Sequence, residues 1–119
     1  MDDLKLYDGE YKFVNLIWEN EPVNSTELVR ICEEHLGWKK STTYTVLRKL
    51  VDRGLLQNEN ATVISLVKRA QVQKFETDAL LDKVFDGSIP TFISAFLKDK
   101  KLSEEESDEI RRMIEEATK

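Results

Sequence analysis

Apolar positions in the first half of the chain recur at helical spacing in three successive stretches, and then the period changes. Tyr11, Phe13, Val14, Leu16, Ile17 and Trp18 follow Asp8-Gly9 and predict a helix over residues 9–20, with Asp8 as its N-cap and Glu21-Pro22 as its stop. Asn24-Ser25-Thr26-Glu27 has the spacing of a capping box, in a variant form with Asn first. Leu28, Ile31, Cys32 and Leu36 then share one helical face, and Gly37 suits the left-handed position that ends such a helix. A third helix is predicted over residues 41–53, with Thr43, Val46, Leu47, Leu50 and Val51 inward and Gly54 closing it. After Gly54 come two β-favouring runs, residues 55–58 and 62–67, around Glu59-Asn60-Ala61. Three helices followed by a β-hairpin form a winged-helix arrangement.

The rest of the pattern is helical. Val72, Phe75, Ala79, Leu80, Val84 and Phe85 predict a helix over residues 69–85, which Asp86-Gly87-Ser88 breaks. Pro90 suits the first turn of a short helix carrying Phe92, Ile93, Phe96 and Leu97. Ser103-Glu104-Glu105-Glu106 is a capping box opening a last helix, expected to bury Ile110, Met113 and Ile114. The expected fold is therefore mainly α with a small β-hairpin: a winged helix-turn-helix domain over residues 1–68 and a helical region over residues 69–119. In that second region Phe75, Leu80, Leu81, Val84, Phe85, Ile89, Phe92, Ile93, Phe96, Leu97, Ile110, Met113 and Ile114 are more apolar surface than a few short helices can cover within one chain. A homodimer interface interleaving two copies is expected to cover it.

Charge adds a functional dimension. The chain has 119 residues and a net charge of −5, which argues against indiscriminate binding to nucleic acid. Yet Lys39, Lys40, Arg48, Lys49 and Arg53 fall within fifteen residues whose only acid is Asp52, while the stretch from Ser103 to Glu116 is rich in Glu. Segregated charge of this kind suits a site-specific DNA binder. Lys39 and Lys40, at the start of the third helix, are candidate phosphate contacts, and Thr42, Thr45 and Arg48 are candidate contacts to base edges. Tyr44 either donates its hydroxyl to a phosphate or lies against the preceding helix.

Arg53-Gly54-Leu55-Leu56, Leu16-Ile17-Trp18, the run from Gly37 to Leu47 and Leu102-Ser103-Glu104-Glu105-Glu106 resemble the penicillinase repressor family. The resemblance covers residues 8–116. It implies an N-terminal winged-helix domain, a C-terminal helical dimerisation domain, and homodimers on inverted-repeat operator DNA. Mapped onto this sequence, the family's DNA-contacting helix falls on Ser41, Thr42, Tyr44, Thr45, Arg48 and Lys49. In the antibiotic-resistance branch a membrane sensor with a cytoplasmic metalloprotease domain triggers cleavage before a Phe, which maps to Ala95-Phe96. Three positions depart from the family's pattern: Lys39-Lys40 replaces Ser-Pro, Asn58-Glu59-Asn60-Ala61-Thr62 replaces a wing with Gly beside a basic residue, and Ala95 replaces Asn. The copper-responsive branch carries C-terminal cysteines, whereas the single cysteine here is Cys32.

Other chemistry finds little support. One cysteine excludes an intramolecular disulfide and fits a cytoplasmic setting. No apolar run reaches the roughly 20 residues of a membrane span, and the acidic N-terminus is unlike a signal peptide. His35 has no metal-ligand partners in sequence, Cys32 lies on an apolar face, and Trp18 and Trp38 are expected to pack the head. Without a nucleophile–base pair, P-loop or dinucleotide fingerprint, no catalytic residue, metal ligand or cofactor is expected. The competing reading is a winged-helix adaptor for another protein, consistent with net acidity and an acidic wing.

Overall fold

The computed structural model describes residues 3–119. Its elements run α1 (Asp8–Asn20), β1 (Val23–Asn24), α2 (Ser25–Leu36), α3 (Lys40–Asp52), β2 (Leu56–Glu59), β3 (Thr62–Ser65), α4 (Arg69–Phe85), α5 (Ile89–Leu97) and α6 (Glu104–Ala117). The mainly helical fold with a winged head is as the sequence pattern predicts. The sheet has one strand more than expected: β1 adds to the hairpin in the order β1-β3-β2, antiparallel, with Val23 opposite Val63 and Asn24 opposite Thr62. A two-residue strand has no periodicity to read. The hairpin turn is tighter than expected, because Glu59 belongs to β2 and only Asn60 and Ala61 turn, both at positive φ of 52° and 61°. That combination matches the twist of a two-residue hairpin.

Local chemistry explains the helix ends. The N-cap of α1 is Tyr7, not Asp8, and Tyr7 N–H donates to Glu10 Oε1 at 2.9 Å. Asn24 caps α2 by accepting from Thr26 N–H at 2.8 Å, but the box expected there is half made, since Glu27 pairs with Arg30 instead of reaching back. Gly37, at φ 68°, ends α2 and sends its N–H to Glu33 C=O at 3.1 Å. Ser103 caps α6, accepting from Glu106 N–H at 3.1 Å while Glu106 accepts from Ser103 N–H at 3.2 Å.

The chain forms two compact units, one ending at Ala79 and one running from Leu80 to Lys119. The expected division at residues 68/69 coincides with the start of α4, whereas the contacts divide within that helix, because Val72 is fully buried in the head. The head core joins Phe13, Ile17, Leu28, Leu50, Leu56 and Val63, all essentially inaccessible. In the second unit Phe85 meets Phe92 edge-on at 5.3 Å, and Phe92 lies 6.0 Å from Phe96. Ile110, Met113 and Ile114 are not buried as expected: they are 38%, 58% and 58% exposed in the single chain. The apolar stripe of α6 has no surface of its own unit to cover it.

Truncating the head core should be costly where truncating exposed positions is not. Leu50→Ala should lower stability by about 2–5 kcal/mol, and Leu66→Ala, at an exposed site, by less than about 0.5 kcal/mol, both read by urea unfolding.

Candidate nucleic-acid interface

One face of α3 is committed to the core, and this decides what the other face presents. Thr43, Leu47 and Leu50 are buried, so Ser41, Thr42, Thr45, Arg48, Lys49 and Asp52 are turned outward and exposed. The approach to the helix is fixed by Trp38, whose ring stacks on Phe13 at 5.5 Å directly after the left-handed Gly37. The helix begins one residue earlier than expected, with Lys39 as N-cap and Lys40 in the first turn. Lys39 supplies no side-chain cap, so the first amides of α3 are left uncapped beside two exposed lysines, Lys39 and Lys40. Thr45 donates its hydroxyl to Ser41 C=O at 2.8 Å, which leaves its methyl and oxygen lone pair free. Thr43 donates likewise to Lys39 C=O at 3.3 Å, but from the buried side.

The proposed contact residues do not all stand alike. Lys39, Lys40, Ser41, Thr42, Thr45 and Arg48 share exposure at and after the start of α3. Tyr44 is half-buried and directs its hydroxyl toward Ser25 Oγ, 3.4 Å away at the start of α2, so of its two alternatives the geometry favours lying against the preceding helix. Arg48 borders a groove shared with Tyr44, Leu47, Val51 and, across from α3, Asn58 of β2. The wing tip itself carries Glu59, an acid that a phosphate would repel. Asp52 lies on the exposed face near the far end of α3, which confines the favourable face to its first three turns.

Lys49 differs most. Its Nζ is 2.8 Å from Glu10 Oε2 and 5.6 Å above the Tyr7 ring, so it leans against α1. Glu10 is 7% exposed and also takes a long ionic contact from Arg53 at 3.9 Å. Burial pushes its carboxyl pKa up, but the hydrogen bonds from Lys49 and the Tyr7 amide, with the positive charge of Lys49 and Arg53, outweigh burial and hold it below the ordinary value of 4.5. Sequence reading missed Glu10. Its one signal was position, three residues after the true N-cap, where a Glu reaches back.

Other polar candidates are structural. Trp18 donates Nε1–H to Ser65 Oγ at 3.1 Å and to Val67 C=O at 3.0 Å. Cys32 is fully buried, and burial pushes its thiol up to about 11 against a hydrogen bond with Thr43 that works the other way. It stays protonated at neutral pH. Among the described residues, no helix is long and apolar enough to cross a membrane.

A model of the penicillinase repressor family matches residues 7–116. The chain belongs to the penicillinase repressor family. It is similar to a penicillinase repressor of Bacillus licheniformis, 21% identical over 94% of this chain and 91% of that one. It is also similar to the methicillin resistance regulatory protein MecI of Staphylococcus aureus, 22% identical over 94% of this chain and 97% of that one. Among solved structures, the DNA binding domain of the repressor BlaI matches with a TM-score of 0.51 and 20% identity, covering 59% of this chain and 92% of that domain. This penicillinase repressor family member thus shares that domain's fold.

The Glu10 contacts generate a pH prediction. A carboxyl whose folded pKa is depressed adds stability that is complete above its unfolded value and is lost as pH falls through the folded one. Glu10→Gln should cost roughly 1–2 kcal/mol at pH 7, and urea unfolding should show the gap to the parent shrinking below pH 4.5. A gap independent of pH down to acid unfolding would mean that the carboxylate charge is not what stabilises.

Proposed function

We propose that this member of the penicillinase repressor family is a transcriptional repressor that binds a palindromic operator as a homodimer. The observation that carries this reading is the outward face of α3, where Lys39, Lys40, Ser41, Thr42, Thr45 and Arg48 stand exposed on a winged-helix head. Lys39 and Lys40 meet phosphates, and Thr42, Thr45 and Arg48 meet base edges in the major groove. Two heads on one symmetric site combine their affinities, which suits a protein whose net charge of −5 weakens binding to random DNA.

Dimerisation rests on the second unit. Ile93, Phe96, Ile110, Met113 and Ile114 are exposed in the single chain, and exposed apolar surface of this extent is covered by a second copy. Leu81, Phe85 and Phe92 are half-buried, as is Phe75 in the part of α4 that belongs to the head, and Leu80, Val84, Ile89 and Leu97 are also exposed. The names of the relatives support antibiotic-resistance genes as the regulated class, acting in the cytoplasm. Induction follows from cleavage between Ala95 and Phe96 in α5 by a membrane sensor's protease or one it activates. That cut interrupts the apolar stripe, separates the heads and removes their avidity.

Sedimentation equilibrium at tens of micromolar is expected to give a dimer, and Phe96→Ala to weaken it. A monomeric parent would overturn the two-head model. Fluorescence anisotropy on the DNA upstream of its own gene is expected to give binding at least about a thousandfold tighter than on scrambled duplex. Arg48→Ala is expected to lose about 1–3 kcal/mol of that preference, roughly 5- to 150-fold in Kd. Arg48→Glu that retains all partner binding would favour the adaptor role instead.

A further inference from the structure

The ion cluster between α1 and α3 does more than hold the head together. A single carboxylate, Glu10, caps α1 by accepting from Tyr7 N–H at 2.9 Å, accepts from Lys49 at 2.8 Å, and faces Arg53 at 3.9 Å. Lys49 and Arg53 are one helical turn apart on the same edge of α3. Arg53 also donates to Lys5 C=O at 2.9 Å, tying the segment before α1 to the end of α3. Burial of Thr43, Leu47 and Leu50, with Tyr44, Val46 and Val51 packed beside them, decides which face of α3 turns inward, but apolar contacts are non-directional and leave a rotation of several degrees at little cost. Charge-assisted hydrogen bonds are directional and supply that resistance. Side chains reach about 5–6 Å from a helix axis, so a rotation of about 10° moves a side-chain tip by about 1 Å. A displacement of that size is enough to spoil a bidentate contact from Arg48, the neighbour of Lys49.

Resting on the DNA-binding reading above, we propose that Glu10, with Lys49 and Arg53, is a positioning lock that fixes the fine rotation of α3 left open by its apolar burial, and that Lys49 acts through Glu10 and not on a phosphate. Lys49 keeps a side-chain exposure of 54%, so its ion pair adds little to the stability that Glu10 already supplies by accepting from Tyr7 N–H. Its effect falls on specificity.

The salt dependence of binding separates the two roles of Lys49. A phosphate contact, when removed, lowers the slope of log K against log salt by about 0.9, whereas a positioning contact leaves it unchanged. The experiment uses the full chain, the tightest duplex selected from a random-sequence library, and a scrambled duplex of equal length, between 50 and 300 mM salt as roughly the range of easy measurement. Lys49→Met is expected to keep the parent's salt slope and to reduce the preference for the selected duplex about tenfold. Lys49→Arg is expected to restore that preference, and adding Glu10→Gln to Lys49→Met should cost no further specificity. A slope reduced by about 0.9 would overturn the lock and return Lys49 to the phosphate-contacting set. An unchanged preference would also overturn it and leave the cluster purely structural. If the parent protein itself selects no duplex, the operator reading fails and the lock's role falls with it. A parent that selects while Lys49→Met behaves as the parent sinks the lock alone.

Discussion

Burial of Thr43, Leu47 and Leu50 against the head is the constraint on which the remaining features hang. The head is small, and α3 is amphipathic with its apolar side narrow, so burial decides which face of the helix turns inward and leaves only a few degrees of rotation to directional contacts. With that rotation set, the polar side chains in between have no choice of direction. Ser41, Thr45 and Arg48 share the outward face, while Lys49 and Arg53 fall on the edge that meets α1. The same packing seats Trp38 on Phe13 and so fixes the turn from α2 into α3. A single hydrophobic solution therefore decides both stability and the surface offered to a partner.

Electrostatics then divides the labour among the basic residues. In sequence nothing sets Lys49 and Arg53 apart as residues turned toward another helix. In the fold, Lys39, Lys40 and Arg48 are exposed, while Lys49 and Arg53 face a nearly buried carboxylate. Glu10, nearly buried, holds Lys49 at 2.8 Å and Arg53 at 3.9 Å and so draws both toward α1. The acidic wing and Asp52 limit the favourable region further, concentrating it at the N-terminal end of α3. Segregation at this scale lets a protein with net charge −5 present a basic face.

Much of this was legible in the sequence, and the reasons are particular. The three head helices, the hairpin and α4 to α6 announced themselves by apolar period, by Gly37, by Pro90 and by the Ser103 box. The family followed from the order of those signals. Three features did not show. Strand β1 is too short for a pattern, and exists because Val23 finds Val63, forty positions along the chain and folded back by the helices. The N-cap is Tyr7 because the partner of the cap is Glu10, a backbone-directed bond open to any residue at that position. The pairing of Lys49 with Glu10 is a tertiary event between helices, and no local rule separates such a lysine from its exposed neighbours. The apolar residues of α6, expected to be buried with the rest of the stripe between two copies, stand exposed in the single chain.

The most direct test is selection of duplexes from a random-sequence library by the purified full chain, followed by sequencing of the bound pool. Two copies of α3 presented by a symmetric dimer predict enrichment of an inverted repeat whose half-sites lie roughly one helical turn, about 10 base pairs, or more apart. A pool with no enrichment over the starting library, or with an isolated half-site and no symmetry, would contradict a dimeric operator-binding repressor.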